Sequence, residues 1–221
     1  MESQLIATSD GSVTIYFPQW NESYHSKHGA IQEAYHVFIK NGLEALADTP
    51  EISILEIGFG TGLNAFITLL ESQKRRQKIN YTGIEYFPVP EEIYVQLNYP
   101  ELLVSQEKHH TFLELHHCEW GRSIALSDLF TLEKQQMKFE DIAFENRFDL
   151  IYFDAFGYRV QPELWSAEIF KKMFAALKNG GILTTYAARG VITRNMKEAG
   201  FIVKKAAGPI GKREMTVAYK V

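Results

Sequence analysis

A chain of 221 residues, 46% hydrophobic and 23% charged, has the size and balance for one α/β domain with a full core. No apolar run approaches the roughly 20 residues of a membrane span, and the first ten residues lack the basic and apolar regions of a secretory signal. The net charge of −4 and the pI of about 6.0 argue against binding nucleic acid chiefly through phosphates, so an RNA partner has to meet a local basic patch. The single cysteine, Cys118, allows no internal disulfide and suits a reducing cytoplasm. The sequon at Asn21 is then a chance match.

Residues 12–17 alternate and are β-branched, which predicts a short strand. Over 28–47, Ile31, Ala34, Tyr35 and Phe38, then Leu43 and Leu46, fall at helical spacing, with Gly42 as a break. An apolar strand at 52–57 precedes a helix from 63 to about 71, and a second strand spans 79–85. Pro88 and Pro90 open a helical stretch at 91–97. Residues 111–117 read as a strand and 123–130 as a short helix. Residues 148–154 are apolar on both faces, as a central parallel strand should be.

A helix at 163–177 is ended by Gly180-Gly181. A strand at 182–186 and a helix at 190–199, capped by Gly200, follow; strands at 201–206 and 215–220 close the chain. Strands alternating with helices imply a doubly wound, mostly parallel sheet. The 207–214 connection is too short for a helical crossover, so the last two strands pair antiparallel. That finish is usual for class I methyltransferases rather than dinucleotide dehydrogenases. No repeat or linker divides the chain. We expect one compact unit, with residues 1–47 covering the site of a methyltransferase domain at 48–221.

The chemistry concentrates at strand ends. Gly58, Gly60 and Gly62 form a turn between the 52–57 strand and its helix, where backbone must pass close to a cofactor. The dehydrogenase spacing is G-x-G-x-x-G, with pyrophosphate on the helix N-terminus. Here it is G-x-G-x-G preceded by Glu56, which suits S-adenosylmethionine: that molecule has no phosphate, and its amino-acid moiety can be oriented by an acid near the turn. Glu85 ends the second strand, where a carboxylate can accept both ribose hydroxyls. Asp154, followed by Ala155 and Phe156, ends the 148–154 strand on the cofactor side of the switch point. It can hold an amine acceptor and take up its proton.

Bland readings compete with each motif. A glycine turn can be purely structural, Glu85 a solvated acid and Asp154 a loop cap. By composition, Lys204, Lys205, Lys212 and Arg213 are a solvated face. His109-His110 and His116-His117-Cys118 lack metal-ligand spacing, so no metal is expected. Residues 74–78 read as the exposed end of a helix.

Taken together, these residues resemble the MnmC-like tRNA (5-methylaminomethyl-2-thiouridine) methyltransferase domain family, in a stand-alone form. The resemblance runs from about Val13 to the C-terminus. It rests on Glu56-Ile-Gly-Phe-Gly-Thr-Gly-Leu-Asn64, Glu85-Tyr-Phe-Pro88, Phe153-Asp-Ala-Phe156, Pro162-Glu-Leu-Trp165, Gly200-Phe201 and Gly211-Lys-Arg-Glu-Met215, with Ile15-Tyr-Phe17 and Glu33-Ala-Tyr-His-Val-Phe38 fitting the opening.

The resemblance implies a class I, Rossmann-like fold and methyl transfer from S-adenosylmethionine to the aminomethyl group of a tRNA wobble uridine. It implies that Glu56, Gly58, Phe59, Gly60, Thr61, Gly62, Asn64, Glu85, Glu119 and Asp154 hold the cofactor, with Asp154 also catalytic at the transfer point. Tyr16, Phe156, Lys212 and Arg213 are implied to face the substrate.

Two features depart from the family. The 157–161 loop reads Gly-Tyr-Arg-Val-Gln instead of carrying the usual Pro and Asn, and the acid expected near the adenine after the third strand has only Glu119 as a candidate. Family members also carry an FAD-dependent oxidoreductase domain. Here no flavin is expected, and a separate oxidoreductase would act upstream. The rival expectations are transfer to another amine, and a non-catalytic S-adenosylmethionine-binding partner of such an oxidoreductase.

Overall fold

Eight strands order as β10-β11-β9-β8-β4-β5-β7-β6 in the main sheet of the computed structural model, which describes residues 2–103 and 109–221. Its centre is parallel: β4 (Glu51–Ile57) lies between β5 (Lys78–Glu85) and β8 (Phe148–Phe153), with β7 (Phe130–Gln136) beyond β5 and β9 (Leu177–Thr185) beyond β8. Ile57 pairs with Ile84 on one side and Phe153 on the other. The chain runs outward from β4 in one direction through β5 and β7, then returns to start β8 on the other side. Strand order therefore reverses between β4 and β8, the position at which open α/β sheets bind ligands. The expected antiparallel finish is present: β10 (Ile202–Ala207) and β11 (Glu214–Tyr219) pair antiparallel, and β11 joins β9.

Helices cover both faces because these strands are apolar on both sides. On one face α2 (Leu63–Arg75) and α5 (His109–His117) bury Phe66 and Phe112 against Tyr81 and Tyr152. On the other, α6 (Ala167–Ala176) and α7 (Gly190–Glu198) bury Phe170, Met173 and Ile192 against Phe153 and Leu183. Two short helices, α3 (Glu91–Tyr94) and α4 (Tyr99–Leu103), lie between β5 and α5.

The N-terminal segment is a separate three-stranded sheet of β1 (Gln4–Ala7), β2 (Val13–Phe17) and β3 (Glu22–Ser23). The helical pattern at 28–47 is realised in three pieces: α1 (Ala30–Ala34), a π-helical turn Tyr35–Lys40 and a 3-10 turn Leu43–Leu46. At Gly42 a side chain would lie 2.5 Å from the Phe38 carbonyl, so glycine is what lets the chain fold back there.

Two expectations are overturned. Residues 111–117 are helical, not a strand: Phe112 and Leu115 lie three apart on one buried face of α5. Residues 123–130 are not a helix but β6 (Ser123–Ser127) and the start of β7, which pair antiparallel. The strand in third position is thus β7. A smaller correction concerns the helix expected at 163–177. It is a 3-10 turn, Pro162–Trp165, followed by α6, which Ser166 caps by accepting from the Ile169 N–H; the helix ends at Ala176, before Gly180-Gly181.

Candidate active site

The carboxyl ends of β4, β5 and β8 open into a cleft of about 260 Å³. Its floor is the glycine turn. Gly58 (φ +89°) and Gly60 (φ +49°) take left-handed conformations that favour glycine. A Cβ on Gly58 would lie 2.8 Å from the Asp154 carbonyl oxygen, and one on Gly60 would lie 2.8 Å from the Tyr24 ring. The Gly58 and Phe59 amides donate to the Ile84 carbonyl, and the Asp154 amide donates to the Ile57 carbonyl, so all three strand ends are locked together. Gly83 leaves room for Phe59, whose ring would sit 2.5 Å from a Cβ there.

Glu85 faces the same turn. Its Oε1 accepts from the Tyr86 and Phe87 amides at 2.9 Å each, and its Oε2 accepts from the Gly60 amide at 3.1 Å. Burial raises its pKa, and the three N–H donors work against that rise.

Asn64, in the first turn of α2, joins two acids. Its Nδ2 donates to Glu56 Oε1 at 2.9 Å and to Asp154 Oδ2 at 2.8 Å. Two carboxyl acceptors fix which way the amide points, leaving Oδ1 buried and, among the described residues, without a hydrogen-bond partner. Glu56 is fully buried. That burial holds its carboxyl far above the usual range, Asn64 opposes the shift, and the Asp154 charge adds to it. Burial likewise pushes Asp154 up to about 7, opposed by the Asn64 hydrogen bond.

Thr61 is buried between two imidazoles. Its Oγ1 shares a hydrogen bond of 2.7 Å with His25 Nε2, and its carbonyl accepts from His116 Nε2 at 3.2 Å. Burial lowers His25 to about 4 and His116 to about 3, so both rings are neutral near pH 7. His116 also stacks on Tyr94 at 4.0 Å. Among the described residues no three His, Cys, Asp or Glu side chains gather as a metal site would require.

The other half of the cleft is aromatic. Phe156 meets Tyr24 at 4.9 Å, Trp20 at 5.6 Å and Phe17 at 5.9 Å between ring centroids. The backbone beneath it is clamped: Trp165 Nε1 donates to the Phe156 carbonyl and the Tyr186 hydroxyl donates to the Ala155 carbonyl, each at 2.8 Å. The 157–161 loop has its own fastening. Arg159 donates to the carbonyls of Trp20 (2.8 Å) and Asn21 (3.1 Å) and lies 3.6 Å from the Glu22 carboxylate.

Of the residues named from the sequence, Gly58, Phe59, Gly60, Thr61, Asn64, Glu85, Asp154 and Phe156 line the cleft. Glu56 sits behind Asn64, and Gly62 opens α2. Four others lie elsewhere. Glu119 is exposed and pairs with Arg122 at 3.2 Å, away from the cleft lining. The acid that follows the third-position strand and lines the cleft is instead Glu140, after β7; the reversed assignments over 111–130 hid it. Tyr16 bonds Asn21 at 2.9 Å outside the cleft lining, where Trp20 and Tyr24 provide the cover. Lys212 turns inward to pair with Glu33, and Arg213 is exposed on the hairpin loop. Trp20, Tyr24 and His25 were missed because no periodic pattern marks them. Tyr186 could have been found, since it follows β9 at the same sheet edge as Asp154.

This donor set fits S-adenosylmethionine. The glycine turn lines the cleft with backbone, Glu85 retains acceptor capacity for a ribose diol, and the unpartnered Asn64 Oδ1 suits an amino group.

Comparison with known proteins agrees. The profile of the S-adenosyl-L-methionine-dependent methyltransferase family matches residues 108–221. The tRNA 5-methylaminomethyl-2-thiouridine biosynthesis bifunctional protein MnmC of Cupriavidus metallidurans is 31% identical over 96% of this chain and 33% of its own length. The MnmC of Cupriavidus necator is 32% identical over 92% and 32%. The chain therefore spans about a third of the length of the curated relatives it matches. Among solved structures, MNMC2 from Aquifex aeolicus superposes with a TM-score of 0.77 at 24% identity, covering 99% of this chain and 70% of that one. Spermidine synthase from Thermotoga maritima shares the fold at a TM-score of 0.54 and 12% identity, covering 99% and 71%. With a doubly wound sheet, a cleft at its switch point and a family profile matching half of its length, the chain belongs to the S-adenosyl-L-methionine-dependent methyltransferases, is MnmC-like within them, and uses S-adenosylmethionine as methyl donor.

Proposed function

We propose that this protein N-methylates the aminomethyl group of a wobble uridine in tRNA. The observation that carries the reading is the place of Asp154: a half-buried carboxylate at the switch point, between the glycine turn and an aromatic wall. The reading is supported by relatives whose names place them in 5-methylaminomethyl-2-thiouridine biosynthesis. The protein would act in the cytoplasm, after a separate FAD-dependent oxidoreductase has exposed the amine. Among the described residues no helix is long and apolar enough to cross a membrane. Residues 1–47 serve as the cover of the 48–221 domain, with Trp20, Tyr24 and His25 contributing one wall.

S-adenosylmethionine supplies a methyl group already activated on a sulfonium. Glu85 would hold its ribose, Asn64 and Glu56 its amino-acid end, and the glycine turn its adenosyl portion. The chain's remaining task is to align a neutral amine, and alignment can contribute on the order of 7–11 kcal/mol. A free alkyl amine titrates near the lysine value of about 10.4 and is mostly charged at neutral pH. Phe156, Tyr24 and Trp20 exclude water around it, which favours the uncharged form. Asp154 would accept a hydrogen bond from the amine, hold its lone pair toward the methyl carbon and take its proton as the C–N bond forms and the methyl C–S bond breaks, the electron pair leaving with sulfur as the neutral thioether.

The test is mass analysis of wobble uridines in a strain lacking this protein, with and without its return. It is paired with purified protein offered aminomethyl tRNA, unmodified tRNA or small amines. Accumulation of the aminomethyl base, cured by the protein, is expected. Turnover of small amines with aminomethyl tRNA ignored would overturn the tRNA reading, and tight donor binding with no transfer to any acceptor would overturn catalysis.

A further inference from the structure

One polar side chain of the cleft is used neither by the donor nor by the transfer step. Gln161 lies half-buried on the lining, and its carboxamide has no hydrogen-bond partner among the described residues. The backbone that carries it is held on both sides. The Val160 and Gln161 amides donate to the Gly157 carbonyl at 2.8 and 3.2 Å, and the Leu164 amide donates to the Gln161 carbonyl at 3.3 Å. Pro162 follows directly and keeps Gln161 out of the helical region. Arg159, two residues earlier, ties the loop to the Trp20 and Asn21 carbonyls. The carboxamide is therefore fixed at its root and unsatisfied at its tip.

Other polar groups of the lining are already engaged or offer less. Asn64 has given both amide hydrogens to Glu56 and Asp154, and the Tyr186 hydroxyl donates to the Ala155 carbonyl. Glu163 lines the cleft as an acceptor alone. Gln161 presents a donor and an acceptor side by side, in the cleft that also holds the rings of Phe156, Tyr24 and Trp20. Proteins take an unstacked base from a single-stranded RNA loop with these two materials: rings receive its flat face, and polar groups read its pairing edge. A uracil ring suits them. Its aminomethyl group hangs on C5, the C4 carbonyl adjoins that carbon, and N3–H comes next. With the amine at Asp154, Gln161 Nε2 can donate to the C4 oxygen while Oε1 accepts from N3–H.

We propose that Gln161 reads the acceptor base, pairing its carboxamide with the C4 carbonyl and N3–H of a uracil ring whose face the Phe156, Tyr24 and Trp20 rings receive. The proposal rests on the reading of a wobble uridine as acceptor, and it adds the residue that selects the base. It also gives the 157–161 loop, which Arg159 fastens, a task at the substrate.

The experiment measures the binding of two anticodon stem-loop RNAs to the full chain in the presence of S-adenosylhomocysteine. One RNA carries 5-aminomethyluridine at the wobble position and the other its N3-methyl derivative, which lacks the hydrogen that Gln161 accepts. Wild type should favour the first by about tenfold. Gln161→Met should bind the first about tenfold more weakly and no longer distinguish the two. Its donor affinity by calorimetry should match wild type, which also reports that the variant is folded. Equal binding of the two RNAs by wild type overturns the proposal without recourse to any variant, and discrimination that survives in Gln161→Met overturns it as well. Methylation assays separate the underlying reading: if wild type leaves the first RNA unmethylated while turning over small amines, the wobble-uridine reading itself falls.

Discussion

The two halves of the cleft are built from different materials. The donor half is made of backbone and short-range sequence. Gly58, Gly60, Thr61 and Asn64 lie within seven residues, and Glu85 is held by the amides of Tyr86, Phe87 and Gly60. The acceptor half is assembled from side chains of three distant segments: Trp20 and Tyr24, then Phe156 and Arg159, then Tyr186 with Lys212 behind it. A backbone cradle tolerates little variation, because an added Cβ strikes a neighbour. A wall of side chains is set by the rings that separate segments supply, here Trp20, Tyr24 and Phe156. On the proposed function, donor identity belongs to one half and acceptor choice to the other.

Asp154 sits where the halves join and gives the strongest test of that division. Asp154→Asn should lower kcat by about 10²–10⁴-fold, the usual range for a lost general base, with donor affinity changed only a few-fold. Parallel loss of both would mean that the halves are not separable. The same variant reports on stability. The folded-state pKa of Asp154, about 7, lies above its ordinary 3.8. Its contribution to stability is then fully present below about pH 4 and is lost as pH rises through 7. Urea unfolding of Asp154→Asn should accordingly be flatter across that window than that of the wild type, with the variant gaining relative stability at pH 8.

A smaller effect is expected within the donor half. Gly60→Ala must hold a side chain at φ +49° and places it against the Tyr24 ring. Donor affinity should fall about tenfold, roughly 1.4 kcal/mol, by calorimetry. Unchanged affinity would show that the turn is structural only. The smallest effect belongs to the acceptor half. Arg159→Ala releases the 157–161 loop from the Trp20 and Asn21 carbonyls. It should raise the acceptor KM by about 3–5-fold, with donor affinity unmoved, consistent with exposed polar contacts worth under about 1 kcal/mol. A shift in donor affinity instead would blur the boundary between the halves.

How much of this was legible follows the same division. The strands at 52–57, 79–85 and 148–154 were readable because burial on both faces leaves a continuous apolar run. The short connection 207–214 was enough to make the final pair antiparallel. The 111–130 stretch misled for physical reasons. In 111–117 the apolar residues Phe112, Leu113 and Leu115 satisfy alternation (113 and 115) and helical spacing (112 and 115) equally well. In β7 the inward position between Leu132 and the strand end is Lys134, which is almost wholly buried. Its ammonium donates to the His116 carbonyl and lies 4.8 Å from the Trp120 ring. A charge compensated by distant partners erases the pattern that would have marked the strand. Glycine spacing and strand-end acids located the donor half. Trp20, Tyr24 and His25 reach the site through tertiary packing, which leaves no local signature.

The contact of Tyr24 with Gly60, beside the His25–Thr61 hydrogen bond, means that one chain segment is at once the lid of the first guest and the cheek of the second. Such a shared partition imposes a sequence on traffic. On the proposed function, the sulfonium compound is then seated before the incoming amine, and the spent thioether departs last. Steady-state product inhibition should then show compulsory order, with S-adenosylhomocysteine competing against the donor alone.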